Sequence, residues 1–291
     1  MSAKLLDGRL LASQLKNQLK EEINSIYRST GGRPTLVNVM VGDDHGSCAY
    51  ANSQKRVAEE IGIKYELRIL KSDISEKDLV EIIKKLNSDE HVNGIMIHKP
   101  LPKHIDYRSV ANFVDIAKDL EGINVANIGK MIVQETKIIP CTPAAVMAHL
   151  HSVPIPLRGK EAVIVGHSEI VGKPLSLLLL EEYATVTVCH IATSEAGRLE
   201  EHVARAEILV VAVGKPALIK GSCIKPGAVV IDVGINQLGD KIVGDVEFAG
   251  AAQKASYITP VPGGVGPVTV VMLMRNGIEA YKLQNPKKVR V

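Results

Sequence analysis

The chain is 291 residues long, enough for one large domain or two ordinary ones with ample core. Its 35 Lys and Arg stand against 32 Asp and Glu, and a net charge of only +3 argues against a nucleic-acid partner. No apolar run is long enough to span a bilayer, and acidic and amide residues come too early for a signal peptide. The cysteines at 48, 141, 189 and 223 show no paired spacing, so neither a metal site nor a disulfide framework is expected and a reducing, cytoplasmic setting is the default.

Aromatic residues are scarce, with no Trp and two Phe, so the core must be aliphatic, as in buried parallel sheets. Leu11, Leu15, Leu19, Ile23 and Ile26 recur at helical spacing and predict an amphipathic first helix. Thr35–Val41 reads as a strand ending at Gly42. A helix is expected over Ala49–Ile61, and Tyr65, Leu67 and Ile69 alternate as strand residues do. Ser75 with Asp78 has the form of a helix-capping pair ahead of Leu79, Ile82, Ile83 and Leu86. Val92–Ile97 is a further strand, halted by Pro100 and Pro102. Helices thus alternate with strands, which means a parallel α/β sheet. Pro140, Pro143, Pro154 and Pro156 then punctuate the chain and place a domain boundary near 145–158.

The stretch Glu161–Thr193 reads strand, glycine turn, helix, strand. Glu161–Val165 stops at Gly166, Gly172-Lys173-Pro174 opens a leucine-rich helix, and Thr185–Cys189 is a second β-branched run. A parallel β-α-β unit of this kind sets backbone N–H groups at a helix N-terminus, where a phosphate can be held. The spacing is Gly-x5-Gly rather than the dinucleotide fingerprint, so an ordinary tight turn is the competing reading. Strands at Ile208–Val213 and Ala228–Val233 each lead into a glycine, Gly214 and Gly234, as strand ends at a ligand crevice do. A Pro- and Gly-rich loop follows over Tyr257–Thr269, and then a closing helix over Val270–Leu283. The basic residues Lys287, Lys288 and Arg290 are expected to be a solvated end.

GHSEIVGKP from Gly166, DVGIN (Asp232–Asn236), VGDV (Val243–Val246) and TPVPGGVGPVT from Thr259 together resemble the methylenetetrahydrofolate dehydrogenase/cyclohydrolase family. VGDDHGSCAY (Val41–Tyr50), AEEIGI (Ala58–Ile63), KPLP (Lys99–Pro102) and PCTP (Pro140–Pro143) extend the resemblance over nearly the whole chain. It implies an α/β protein of two domains with folate in the cleft between them. An N-terminal α/β domain, 1–147, would be completed by a C-terminal helix at 270–291, and a Rossmann-type nucleotide-binding domain would cover 148–269. It also implies tetrahydrofolate one-carbon derivatives as partners and a homodimer, with no nucleic acid, no membrane and no metal.

By the same resemblance, Tyr50, Gln54, His98 and Glu121 hold the catalytic positions. Substrate would be held by Tyr50, Lys99, Pro100, Leu101, Glu121 and the loop Pro262, Gly263, Gly264 and Val265. The cofactor positions are Gly166, His167, Ser168, Ile170, Val171, His190, Ile191, Ala212, Val213, Gly214, Gly234, Ile235, Asn236 and Thr269.

The chain departs from the family where the chemistry is done. The family keeps a Tyr and, four residues later, a catalytic Lys; here Tyr50 is followed by Gln54. Lys55, one place on, stands about 100° around the helix. His98 takes the place of a family Gln, and Glu121 that of an Asp that grips the pterin. Dehydrogenation moves a hydride and no proton, so positioning can suffice for it. Hydrolysis of the methenyl product must deprotonate water, and Gln54 cannot titrate. The expectation is therefore a dehydrogenase with weak or absent cyclohydrolase. The alternatives are a bifunctional enzyme using His98 or Lys99, and a silent folate- or nucleotide-binding homologue.

NADP-using members show an Arg after the first glycine, then Ser and Lys beyond the His that ends the second strand. His167, Ile191 and Ala192 stand there instead and offer no clamp for a 2′-phosphate, so of NAD and NADP the reading leans to NAD. Without the resemblance, Tyr50 would read as a packing residue, His98 as a surface histidine, Lys99 as solvated and Ser168 as a helix cap. Asp119 is expected to be structural, and Cys141 a small buried hydrophobe rather than a nucleophile.

Overall fold

The computed structural model describes residues 2–286. The chain divides into two compact units. One joins Met1–Ser13 to Thr142–Thr269, and the other joins Gln14–Cys141 to Val270–Val291. These bounds differ from those expected at the N-terminus, where the first residues belong with the later unit. The cause is local: Lys4–Leu5 adds a parallel edge strand beside Tyr257–Ile258, in register with it. The last residues of the expected closing segment, and with them the basic tail, lie outside the described residues.

The unit containing Gln14–Cys141 has a parallel sheet in which Thr35–Val41 lies between Lys64–Leu70 and Gly94–Ile97. The central strand forms where the β-branched run predicts it. Val37, Val39 and Val41 pack with Ile95 and Ile97 against Leu79, Ile83 and Leu86 of the helix Glu76–Ser88. Each such wholly buried aliphatic side chain contributes about 1.5–3 kcal/mol. Ser75 caps that helix by accepting from Asp78 N–H at 3.1 Å. The helix His45–Ile61 is capped by Asp44, which accepts from Ser47 N–H at 2.9 Å. It ends at Gly62, whose left-handed φ of 89° lets its N–H return to Ala58 and Glu59 carbonyls.

The other unit carries a six-stranded, wholly parallel sheet. Its order is Lys4–Leu5, Tyr257–Ile258, Val229–Asp232, Ile208–Val211, Glu161–Val165, Thr185–Cys189. The chain leaves Glu161–Val165 toward one edge to form Thr185–Cys189, then crosses back to form Ile208–Val211 on the other side. That reversal is the topological switch point at which a doubly wound sheet opens a crevice beyond its strand ends. A small antiparallel hairpin, Asn236–Leu238 with Lys241–Val243, follows Val229–Asp232 in the chain. The segment expected to be all loop is more regular than predicted: it contains the strand Tyr257–Ile258, and the closing helix starts at Val265 and runs to Gln284.

Candidate active site

In the unit with the three-stranded sheet, Tyr50 and Gln54 lie one turn apart on the helix His45–Ile61, hence on one face. Gln54 is wholly buried, whereas Tyr50 is 41% exposed. Burial around the Tyr50 hydroxyl raises its pKa, and the neighbouring Gln54 amide works against that rise. Lys55 points away, half exposed and 3.9 Å from Glu59. Its neighbour in sequence, not Lys55 itself, therefore occupies the site.

Two residues that periodicity had counted only as strand members complete Gln54's surroundings. Asn38 Nδ2 donates to Gln54 Oε1 at 2.9 Å, and the Tyr65 hydroxyl donates to the same oxygen at 2.7 Å. Asn38 Nδ2 also lies 2.7 Å from the Tyr65 oxygen and 3.2 Å from His98 Nδ1. Gln54 Nε2 turns the other way, to Met96 Sδ at 3.6 Å. His98 is buried at the end of Gly94–Ile97, anchored by its N–H on Val39 O, and the Tyr50 ring meets it edge-on at 5.8 Å. Burial lowers the His98 pKa, opposed by the charge of Asp44, so the neutral ring is favoured.

Glu121 forms a second group with Tyr107 and Lys99. The Tyr107 hydroxyl donates to Glu121 Oε2 at 2.8 Å, and Lys99 Nζ lies over the Tyr107 ring at 4.3 Å. Burial pushes the Glu121 carboxyl up to about 7, although the Tyr107 hydrogen bond and Lys99 pull it down. Pro100 follows through a cis peptide bond, and Leu101 packs on the sheet's core. Asp119 turns inward as a clamp, accepting from the N–H groups of Glu121, Gly122 and Asn124 and from Asn127 Nδ2. It thereby fixes the loop that carries Glu121. Cys141 has its thiol pushed well above its ordinary pKa by burial, which favours the neutral thiol; its Sγ donates to Leu120 O at 3.4 Å and takes a contact from Asn276 Nδ2 at 3.6 Å.

In the six-stranded unit the strand ends at the switch point come close. Gly166 has φ 125°, and a Cβ on it would fall 2.3 Å from Ala212 O. A Cβ on Gly172 would fall 2.0 Å from Gly166 O, so the turn admits only glycine at both places. The helix Gly172–Glu181 has Val171 as its N-cap with no side-chain cap; Lys173 N–H returns to Ser168 O at 3.0 Å and Pro174 has no N–H, so Gly172 N–H is the first-turn donor left over among the described residues. Ser168 Oγ accepts from Val171 N–H at 3.2 Å and shapes the turn. His167 and His190 face each other at 5.3 Å, while Ile191 is 67% exposed.

Asp245, which the sequence reading passed over, organises the next strand end. Its carboxylate accepts from Val213, Gly214 and Lys215 N–H groups and from Asn236 Nδ2. Gly234 must be glycine because a Cβ would fall 2.2 Å from that carboxylate. Ile235 is exposed beside Asn236. Asp232 in turn accepts from Gly234, Asp245 and Val246 N–H groups, and burial raises it to about 6. The loop of Pro262, Gly263 and Gly264 is held by Gly8, whose N–H donates to Gly263 O at 2.9 Å. Val265 is buried at the start of the closing helix, and Thr269 hydrogen-bonds back to its carbonyl at 3.2 Å. A glycine turn that backbone approach alone fills, an uncapped helix start and a carboxylate-braced strand end fit a nicotinamide dinucleotide. Among the described residues no cluster could hold a metal ion, and no helix is long and apolar enough to cross a membrane.

The catalytic-domain model of tetrahydrofolate dehydrogenase/cyclohydrolase matches residues 6–121, and the NAD(P)-binding-domain model of the same family matches residues 140–285. The chain is 48% identical over 289 residues to the bifunctional protein FolD of Acetivibrio thermocellus, covering 99% of this chain and 100% of that one. To the protein of the same name from Moorella thermoacetica it is 45% identical over 97% of this chain and 100% of the relative. The crystal structure of the bifunctional enzyme FolD, methylenetetrahydrofolate dehydrogenase/cyclohydrolase, from Campylobacter jejuni superposes with a TM-score of 0.93 at 39% identity, covering 97% of this chain and 99% of that one. The Trypanosoma brucei dehydrogenase-cyclohydrolase, solved with NADP cofactor and an inhibitor, gives 0.92 at 35% identity, covering 97% and 98%. With both domain models matched and such identity over nearly its full length, the chain belongs to the tetrahydrofolate dehydrogenase/cyclohydrolase family.

Proposed function

We propose that this enzyme oxidises 5,10-methylenetetrahydrofolate to the 5,10-methenyl form, with NAD as the favoured nucleotide, and hydrolyses the methenyl product weakly or not at all. The carrying observation is Gln54: a wholly buried amide, tied to Asn38 and Tyr65, at the position beside Tyr50 where the family has its lysine. An amide neither takes a proton from water nor returns one, and its two donors hold it to that role.

The half-exposed Tyr50 ring offers a stacking face for the folate, and Glu121, near neutrality in its preferred charge, offers the pterin edge a hydrogen-bonding partner. By the family resemblance the remaining substrate residues are Lys99, Pro100 and Leu101 in one unit and Pro262, Gly263, Gly264 and Val265 in the other. Gly166, His167, Ser168, Ile170, Val171, His190, Ile191, Ala212, Val213, Gly214, Gly234, Ile235, Asn236 and Thr269 are the nucleotide's residues. When bound, the nicotinamide supplies the hydride acceptor. The residues themselves contribute position and exclusion of water, which is what a hydride step needs. The exposed apolar Ile191 and uncharged Ala192 give a 2′-phosphate nothing to bind, which favours NAD. By the family resemblance the working form is a cytoplasmic homodimer, to be checked by sedimentation and localisation.

A second reading, the full bifunctional enzyme, draws on Glu121. A carboxyl with a pKa near 7 can exchange protons at working pH. One experiment separates the readings: 5,10-methylenetetrahydrofolate is offered with NAD or with NADP, and reduced nicotinamide and the methenyl chromophore are followed together. Reduction with methenyl accumulating at its uncatalysed decay rate supports the dehydrogenase. Methenyl loss faster than in buffer supports the bifunctional enzyme. No reduction with either nucleotide leaves a silent binding homologue.

A further inference from the structure

Asn38 is out of place by composition. It lies in a strand, Thr35–Val41, whose residues from Leu36 onward are otherwise apolar and buried, and it is itself only 1% exposed. Its Oδ1 is buried without a hydrogen-bond partner among the described residues, a desolvation cost that a valine would not incur. What the amide gains lies on its nitrogen side, so the position is better explained by what Nδ2 does than by packing.

The orientation of the network follows from its donors and acceptors. Gln54 Nε2 faces Met96 Sδ, which leaves Oε1 toward Asn38 and Tyr65. The Tyr65 hydroxyl gives its one proton to Oε1 at 2.7 Å, so its oxygen remains an acceptor. Every group around the end of Asn38 therefore accepts, and the nitrogen is the atom that fits: one of its two hydrogens is shared between Gln54 Oε1 and the Tyr65 oxygen, themselves 2.7 Å apart, and the other is left for His98. His98 Nδ1 stands 3.2 Å from that nitrogen and is the acceptor for this second hydrogen. A neutral imidazole whose Nδ1 accepts carries its proton on Nε2.

We propose that Asn38 is a positioning residue that holds His98 as the neutral Nε2–H tautomer, so that His98 donates a hydrogen bond toward the folate side and takes no proton from water. The proposal rests on the dehydrogenase reading for the identity of the substrate. The tautomer is a property of the free protein. Around the ring, Asp44 is the charged group that favours imidazolium, while the Tyr50 edge and the burial of the ring favour the neutral form. Gln54 and Asn38 carry no charge.

The test is the 15N NMR spectrum of the histidine side chains in the ligand-free full-length protein, with His98→Gln identifying the His98 signal. A protonated Nε2 and an unprotonated Nδ1 at neutral pH are expected. A protonated His98 Nδ1 in the wild-type spectrum overturns the proposal; should His98→Gln fail to fold, backbone-to-ring correlations in the wild-type protein identify His98 among the nine histidines. Asn38→Asp places an acceptor against Nδ1 and is expected to move the proton there, freeing the Nε2 lone pair. Methenyl hydrolysis should then rise on the order of 10-fold or more above wild type and increase with pH as His98 loses its charge. In that variant Nε2 takes one proton as the water oxygen bonds the methenyl carbon; as the carbon–nitrogen bond breaks that proton goes to the departing folate nitrogen, the hydroxyl proton is released to solvent as the formyl carbonyl forms, and no co-reactant is needed. A tautomer unmoved in Asn38→Asp, or moved without a gain in hydrolysis, overturns it. If instead the dehydrogenase reading is wrong, neither nucleotide is reduced and the wild-type spectrum still shows Nε2–H.

Discussion

Tyr65, on an edge strand, donates its hydroxyl proton to Gln54 Oε1 at 2.7 Å, on the buried face of the neighbouring helix. With Asn38 giving a second hydrogen bond to the same oxygen, Gln54 is the acceptor on which two donors depend. Gln54→Ala would strand both donors and open a cavity. It should lower unfolding free energy by about 2–4 kcal/mol. Tyr65→Phe removes a single hydroxyl and should cost about 1 kcal/mol. Urea unfolding of the two variants checks the order: if Tyr65→Phe proves the more costly, the network is not centred on Gln54.

The Glu121 carboxyl gives the protein a pH signature. Its folded pKa is raised to about 7 from an ordinary value of 4.5, chiefly by burial. Between those values the native state holds the proton more tightly than the unfolded state does, so stability falls as pH rises from about 4.5 to about 7. Below that window the contribution is fully present, and above it is lost. Glu121→Gln should remove this part of the pH dependence. An unchanged slope in the variant's urea midpoints across the window would assign the slope to other groups.

Nucleotide choice can be shifted at Ile191. Its side chain is 67% exposed at the start of the short helix Ile191–Glu195, so a longer residue disturbs no core. Ile191→Arg supplies a cationic partner for a 2′-phosphate. It should tighten NADP about tenfold, roughly 1.4 kcal/mol, and leave NAD within about twofold. Titration calorimetry with each nucleotide checks it; equal tightening of both would mean the arginine does not meet the 2′-phosphate.

Gly166→Ala tests the switch point. The residue needs φ 125°, and an added Cβ would meet Ala212 O at 2.3 Å, a backbone atom that cannot step aside. Strain and clash together should cost about 2–4 kcal/mol and raise the KM for nucleotide far more than that for folate. Thermal melts and steady-state kinetics report the two effects. Near-normal nucleotide KM would move the phosphate site away from this turn.

Much of the scaffold was legible because it depends on periodicity and turn chemistry, both local in sequence. The leucines from Leu11 to Leu19 and the isoleucines Ile23 and Ile26 lie on the helix Gly8–Thr30. Thr35–Val41 and Glu161–Val165 form strands with the bounds their β-branched runs suggest. Motif spacing likewise pointed to the family, because glycines at Gly166, Gly172 and Gly234 answer to backbone contacts that admit no other residue. The strand after Ile208 is shorter than its apolar run, ending at Val211, because Asp245 draws the N–H groups of Val213 and Gly214 out of the ladder.

Only the tertiary structure decided what surrounds Gln54, His98 and Glu121. Asn38, Gln54, Tyr65 and His98 come from three strands' worth of chain and a helix, and nothing in their spacing announces that they meet. The sequence alone showed that an amide, Gln54, stands four residues after Tyr50, since that is a matter of residue type. It could not show that Gln54 is wholly buried and held by two donors, or that Glu121 stands near neutrality. Residue type is written along the chain, whereas desolvation and hydrogen-bond partnership arise only when distant segments pack, and those two effects set what each group can do.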